Sequence, residues 1–308
     1  MNPQATIILE GGLGNRMRVA ASAYAMAQRT GVSMRVLWTS QWGMRCRFDE
    51  LFEDFPPALP VRVGAEYTLR DAQGFEKVMF ARPTWNNLHV PELLQRLKYS
   101  KIILAPQIWY LNRDGFDYES WFRQGGTLMT AYRDFCPWTS DDLRYLFCPN
   151  VEVQGFTNER TAAFSAHSIG VHIRRTDHRQ AIDESPLEVF TEAIDREIEQ
   201  HNDLSIYLAT DDEATKDALR SRYGKRVIMS SAKATRESTD GIRDALVEMY
   251  ALSRTQHIYG SAGSTFSPIA ACLGDVPITI LQRDGVGEID LLCQTKCAEH
   301  IGASIIPS

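Results

Sequence analysis

Two adjacent arginines and a following Thr-Asp pair close an apolar run in Gly170-Val-His-Ile-Arg-Arg-Thr-Asp-His178. A guanidinium is always charged and presents a planar fork of N–H donors, so Arg174 and Arg175 at a strand end suit a dianionic group such as a phosphate or pyrophosphate. Three other stretches bring polar groups to the same kind of place. They are Glu10-Gly-Gly-Leu-Gly-Asn-Arg16 after an apolar strand, Thr210-Asp-Asp212 after another, and Ser261-Ala-Gly-Ser-Thr-Phe-Ser267 before a helix. Ligands of open parallel sheets sit beyond the carboxyl ends of the strands, and all four stretches fall there.

Each stretch has a chemical reading and a structural one. Glycines before a helix let backbone N–H groups approach an anion. The dinucleotide fingerprint fails here, because Met17 stands where its third glycine belongs and the second strand ends in Trp38, with no acid to hold a ribose. Gly12 and Gly14 are therefore expected to carry the loop to a ligand, with Asn15 and Arg16 as donors; the structural alternative is a tight turn. Asp211 and Asp212 resemble a metal-binding pair, but the arginines already supply positive charge and no further Asp, Glu or His shares the local spacing. Asp212 also suits the N-cap of the next helix, which leaves Asp211 for a ribose hydroxyl or base amine. Ser261, Gly263, Ser264 and Thr265 place hydroxyls and unblocked amides at a helix N-terminus, more than a plain cap requires, and so point to a phosphate.

The elements that must position these groups alternate between strand and helix. Residues 6–9, 17–29 and 34–38 read as a β-α-β unit, the helix ending at Gly31. After residue 168, strands at 169–173, 205–209, 226–229, 257–259 and 277–281 alternate with helices at 186–200, 213–223, 241–254 and 268–273, the pattern of a doubly wound parallel sheet. Prolines and aromatics obscure residues 39–150, where strands are expected at 76–80 and 101–104 and helices at 91–99 and 141–147. Tyr110, Trp121, Tyr132 and Trp138 could stack on a sugar or fill a core. The expected fold class is α/β, with Rossmann-like domains at 1–155 and 156–308 facing across a cleft and a linker near 148–160.

Composition narrows the partners. A chain of 308 residues with 44% hydrophobic and 23% charged residues has packed cores rather than disorder. A formal charge of -6 disfavours a nucleic-acid or anionic-membrane footprint spread over the surface, so anion binding must be local. No secretory signal and no apolar run long enough to span a bilayer are read, which leaves peripheral membrane association open. Six thinly spread cysteines without zinc spacing point to reduced thiols and a cytoplasmic location.

The motifs resemble those of the α1,2-, α1,6- and protein-O-fucosyltransferases. Gly11-Gly-Leu-Gly-Asn-Arg-Met17 is similar to the N-terminal loop of that superfamily, and His172-Ile-Arg-Arg-Thr-Asp177 to its His-x-Arg-Arg motif, closest to the α1,6 and nodulation-type enzymes. Tyr207-Leu-Ala-Thr-Asp-Asp212 and the 261–267 loop resemble later motifs in the same order. Residues 40–160 show no such likeness.

The resemblance implies a two-domain GT-B fold and an inverting transfer of fucose from GDP-fucose to a glycan or surface-polysaccharide acceptor, with no metal and no cofactor. It implies that Arg174 holds the β-phosphate and that Arg175 braces the site. His172, Asp211 or Asp212, and Glu248 would contact guanosine; Glu248 stands where the α1,6 enzymes carry an aspartate, and its alternative is a solvated helical position. Ser261, Ser264 and Thr265 would hold the diphosphate, within a donor-binding set that also takes in Asp177, Gly263 and Phe266. The acceptor hydroxyl needs a carboxylate to take its proton. Asp183 is the first choice, then Glu184, at slightly altered spacing from the motif, with Glu10 a rival because protein-O-fucosyl enzymes can carry a glutamate before the glycine loop. The alternatives are a transferase using another nucleotide sugar and a catalytically silent sugar-nucleotide or glycan-binding protein.

Overall fold

The computed structural model describes residues 4–40, 44–53, 59–61, 64–82, 84–176 and 179–294. The chain divides into two units, Met1–Asn150 with Arg236–Thr239, and Val151–Thr235 with Asp240–Ser308.

The first unit runs β1 (Gln4–Leu9), α1 (Leu13–Thr30), β2 (Ser33–Trp38), β3 (Leu59–Pro60), β4 (Glu66–Asp71), α2 (Phe75–Met79), α3 (Val90–Lys98), β5 (Lys101–Ile103), α4 (Ala105–Arg113), α5 (Tyr118–Arg123), β6 (Thr127–Ala131) and α6 (Ser140–Leu146). Its sheet has the order β3-β4-β2-β1-β6-β5, parallel throughout except for β3 against β4. The order reverses between β1 and β6, so the carboxyl ends of these two strands flank the crevice where such sheets bind ligands. Residues 76–80, expected as a strand, lie mostly in helix α2. Within them Met79 and Phe80 are buried while Val78 faces solvent, so the apolar run 78–80 is the end of a short helix buried on one side.

The second unit runs α7 (Val151–Thr161), β7 (Ser168–Ile173), α8 (Arg179–Glu184), α9 (Leu187–Gln200), β8 (Ser205–Thr210), α10 (Glu213–Tyr223), β9 (Val227–Met229), α11 (Thr239–Leu252), β10 (His257–Ser261), α12 (Phe266–Gly274), β11 (Ile278–Gln282) and β12 (Gly285–Gly287). The sheet order is β12-β11-β10-β7-β8-β9, with only β12 antiparallel. Counted from β7, the five parallel strands stand in the order 3-2-1-4-5 of a Rossmann sheet, and the reversal lies between β7 and β10. Every residue of β7 and β8 is buried, as helices on both faces require. Ile169, Val171, Ile173, Ile206 and Leu208 pack with Phe190 and Ile194 of α9, each side chain contributing roughly 1.5–3 kcal/mol by leaving water. The stretch expected as a linker is largely helix α7, anchored by buried Val153 and Thr157, and residue 155 lies inside it.

Candidate active site

In the second unit the switch point between β7 and β10 gathers most of the expected residues. Arg174 follows β7, and Ser261 ends β10. The Ser261 hydroxyl, fully buried, donates to the His172 carbonyl at 3.3 Å and accepts from the Arg174 N–H at 3.1 Å, pinning the arginine loop to the serine loop. Asp211, from the next strand, completes the brace. Its Oδ2 lies 3.2 Å from Arg174 Nε and accepts from the Thr176 hydroxyl at 2.7 Å, while Oδ1 accepts from the Arg175 N–H at 2.7 Å. Asp211 thus orients the arginine pair, a contact the sequence reading did not include. Asp212 is the N-cap of α10, its Oδ2 accepting from the Thr215 N–H at 2.8 Å and the Thr215 hydroxyl at 2.6 Å.

Arg174 is about one-fifth exposed. Arg175 is half-buried, and burial lowers its pKa; its Nη2 is buried without a hydrogen-bond partner, an orphaned donor of the kind an anion would satisfy. His172 is a buried residue whose ring stacks on Phe266 at 4.9 Å between centroids, with Nδ1 3.2 Å from the Ser267 hydroxyl. Burial, reinforced by Arg174, pushes its pKa down to about 3, so the imidazole is neutral. Gly260 makes this approach possible, because a Cβ there would lie 2.4 Å from Ser267 Oγ. Gly263, exposed at φ 67°, turns the loop. Ser264 accepts from the Phe266 N–H at 3.3 Å, and Thr265 is the N-cap residue of α12 without a side-chain cap bond. The Ser261 hydroxyl spends its proton inside the loop, on the His172 carbonyl, whereas the Ser264 hydroxyl only accepts.

Glu248 is not a solvated helical position. It is 9% exposed on α11, among Asp244, Arg160, Lys216 and Asp211, and burial with the Asp244 charge pushes its pKa up to about 8. Arg160 is itself paired with Asp244 at 2.8 Å and Lys216 with Glu213 at 2.8 Å, so neither cation is devoted to Glu248. Asp183 is exposed on α8. Glu184 accepts from Gln282 Nε2 at 2.7 Å and holds α8 to β11. Sequence reasoning missed Ser185, whose buried hydroxyl donates to the Leu281 carbonyl at 2.6 Å and accepts from the Ala262 N–H at 2.9 Å. Nothing in its local pattern marks a serine after two acids as a loop anchor. Asp177 lies outside the described residues.

In the first unit Gly11, at φ 78°, turns the chain into α1, Gly12 is the extended N-cap residue, and Gly14 is buried inside the helix. Asn15 folds back over Gly11. Arg16 faces inward rather than toward a ligand. It is fully buried, donates from Nε to the Gly11 carbonyl at 2.8 Å and from Nη1 to the Thr39 carbonyl at 2.7 Å, and lies 5.1 Å over the Trp38 ring. Burial lowers its pKa to about 10. Glu10 occupies the switch point between β1 and β6, its N–H donating to the Ala131 carbonyl at 2.8 Å. Its carboxyl is half-buried, and burial raises its pKa against the Thr130 hydroxyl, Arg16 and Arg82. Beyond β2 and β4 a pocket of about 280 Å³ is lined by Trp38, Thr39, Asp71, Gln73, Glu76 and Phe80, among others. Of the four aromatics, Trp138 is core, donating from Nε1 to Asp134 at 3.0 Å, whereas Tyr110 is exposed.

No family model matches the sequence, and no curated protein sequence does. Solved structures do match. A NodZ α-1,6-fucosyltransferase soaked with GDP-fucose superposes over 94% of this chain and 100% of its own, with a TM-score of 0.64 at 18% identity. The chain has a fucosyltransferase fold. NodZ from Bradyrhizobium matches with a TM-score of 0.61 at 17% identity, over 91% of this chain and 96% of that one. An Arabidopsis thaliana FUT1 mutant in complex with GDP gives 0.60 at 18% identity, over 91% of this chain and 70% of that one. The two doubly wound units expected from sequence are those of this fucosyltransferase fold. Among the described residues no helix is long and apolar enough to cross a membrane.

Proposed function

We propose that this chain transfers fucose from GDP-fucose to a carbohydrate acceptor, with inversion at the sugar and without a metal ion. The observation that carries the reading is the Arg174–Arg175 pair at the β7–β10 switch point, braced by Asp211 and Ser261 next to the N-terminus of α12. A departing diphosphate develops negative charge, and a guanidinium fixed beforehand stabilises it without reorganising during the reaction. Arg174 takes the β-phosphate in this scheme and Arg175 the remaining charge, with the backbone amides of Gly263 and Ser264 as the second clamp. Glu248 reads the N–H edge of guanine.

Sugar C1 loses its bond to the diphosphate oxygen and gains one to the acceptor oxygen, whose proton goes to a carboxylate. Glu10 has the environment of such a base, since burial raises its affinity for a proton at the switch point of the first unit. Asp183 is exposed and Glu184 is bonded to Gln282, so they rank behind it. The 280 Å³ pocket beyond β2 and β4 is the acceptor's place in this reading. The fold shared with NodZ and FUT1 supports the assignment.

Thermal-shift measurements test the nucleotide. GDP should stabilise the chain beyond ADP or UDP, with about 2.7 kcal/mol expected at one hundred times Kd. GDP release from GDP-fucose should persist in EDTA and vanish in Arg174→Ala. Full activity in that variant would overturn the assignment.

A further inference from the structure

Two thiols lie 3.3 Å apart, sulfur to sulfur: Cys272 near the end of α12, and Cys293, which follows β12. Cys272 is buried and Cys293 half-buried, so one sulfur is sheltered by the helix and the other is open to a reagent. The remaining described cysteines have different surroundings. Cys46 Sγ lies 3.6 Å from the Glu50 carboxylate, Cys136 Sγ lies 3.6 Å from Arg29, and Cys148 is exposed. A disulfide bond spans about 2.05 Å, so closing the Cys272–Cys293 gap takes an approach of roughly 1.2 Å, within reach of side-chain rotation and a small shift of the chain after β12.

We propose that Cys272 and Cys293 form an oxidisable dithiol, a covalent modification site that takes a small-molecule disulfide as its oxidant. The Cys293 thiolate attacks one sulfur of that disulfide, forming a mixed disulfide and expelling the first small thiolate. The Cys272 thiolate then attacks the Cys293 sulfur, and the second small thiolate leaves. The protein loses two protons and two electrons, and the oxidant becomes two thiols. The new bond ties residues 288–294 to α12, the helix whose N-terminus opens the 261–267 loop, and closes a loop between residues 21 apart in sequence. Cross-linking removes conformations from the unfolded chain, so the oxidised protein is the more stable form. None of this depends on which nucleotide sugar the chain uses.

Purified full-length chain is incubated with oxidised glutathione, alkylated, digested and mapped by mass spectrometry. The expected product is a monomer lighter by two hydrogens, with one Cys272–Cys293 linked peptide, the other four of its six cysteines alkylated, and full reversal by dithiothreitol. Its Tm should rise by a few degrees, and proteolysis between β12 and residue 294 should slow. Cys272→Ala should stop at a glutathione adduct on Cys293. Cys293→Ser, which leaves the helix core untouched, should form no internal bond, and Cys297→Ser should still form it. A glutathione adduct that persists on Cys293 in the unaltered chain, or a bond from Cys293 to any other cysteine, overturns the proposal.

Discussion

Replacing Glu248 by glutamine should stabilise the second unit, by an amount that grows with pH. The carboxyl is buried and its pKa is pushed up from 4.5 to about 8. Glutamine has the same shape and the charge of the protonated acid. Below pH 4.5 the acid is protonated whether the chain is folded or not, and the two proteins should differ little. Between 4.5 and about 8 the folded state holds a proton that the unfolded state has released, so stability falls as pH rises, by about 1.4 kcal/mol per pH unit. The difference in favour of Glu248→Gln should therefore approach ~3 kcal/mol at pH 7 and level off near ~5 kcal/mol above pH 8, as an upper bound. Urea unfolding at pH 5, 7 and 8.5 measures it, provided that the probe sees the second unit. All six tryptophans precede residue 139 and belong to the first unit, so tryptophan fluorescence would miss the effect. Far-UV circular dichroism with amide exchange on 205–210 and 239–252 would register it. A difference independent of pH, or a variant weakened throughout, would mean instead that Arg160 and Lys216 hold Glu248 ionised.

Further expectations concern the nucleotide, the base and the loops. If guanine is read by the Glu248 carboxylate, GDP binding must expel its proton. Affinity for GDP should then rise about tenfold per pH unit up to about pH 8, and titration calorimetry should show that slope vanish in Glu248→Gln. With Glu10 as base, activity should fall on acidification at a pH above the ordinary glutamate range; Glu10→Gln should lower kcat by roughly 10²–10⁴-fold and abolish that limb of the profile. Gly260→Ala forces a carbon to within 2.4 Å of Ser267 Oγ and should cost about 1–3 kcal/mol in urea, with GDP affinity lost as the His172–Phe266 stack shifts. Asp212→Ala removes the cap of α10, and about 1 kcal/mol of stability should go with it, read as a lower midpoint in urea.

Much of the second unit was legible in sequence because parallel strands buried on both faces write themselves as apolar runs, as in 169–173 and 205–209. In the middle of the chain short helices such as α2 have too few residues to separate a period of 3.6 from one of 2, and 76–80 was misread for that reason. Candidate residues stand out in the sequence by their place after strands, but their contacts do not. Whether Asp211 meets a ligand or an arginine, and whether Arg16 points outward or in, depends on contacts between residues far apart in sequence. Glu248 is the sharpest case. It lies buried among Arg160, Tyr207, Asp211 and Lys216, all far from it in sequence, which no pattern local to residue 248 records.

The Ser261 hydroxyl carries a kinetic consequence. It accepts from the Arg174 amide and donates to the His172 carbonyl, so the two halves of the anion clamp are joined before any ligand arrives. A clamp already assembled spends no ordering step on capture. Association of GDP should then follow a single exponential whose rate rises linearly with nucleotide concentration, while Ser261→Ala, with the loops uncoupled, should bend that line toward a plateau set by how fast they find each other.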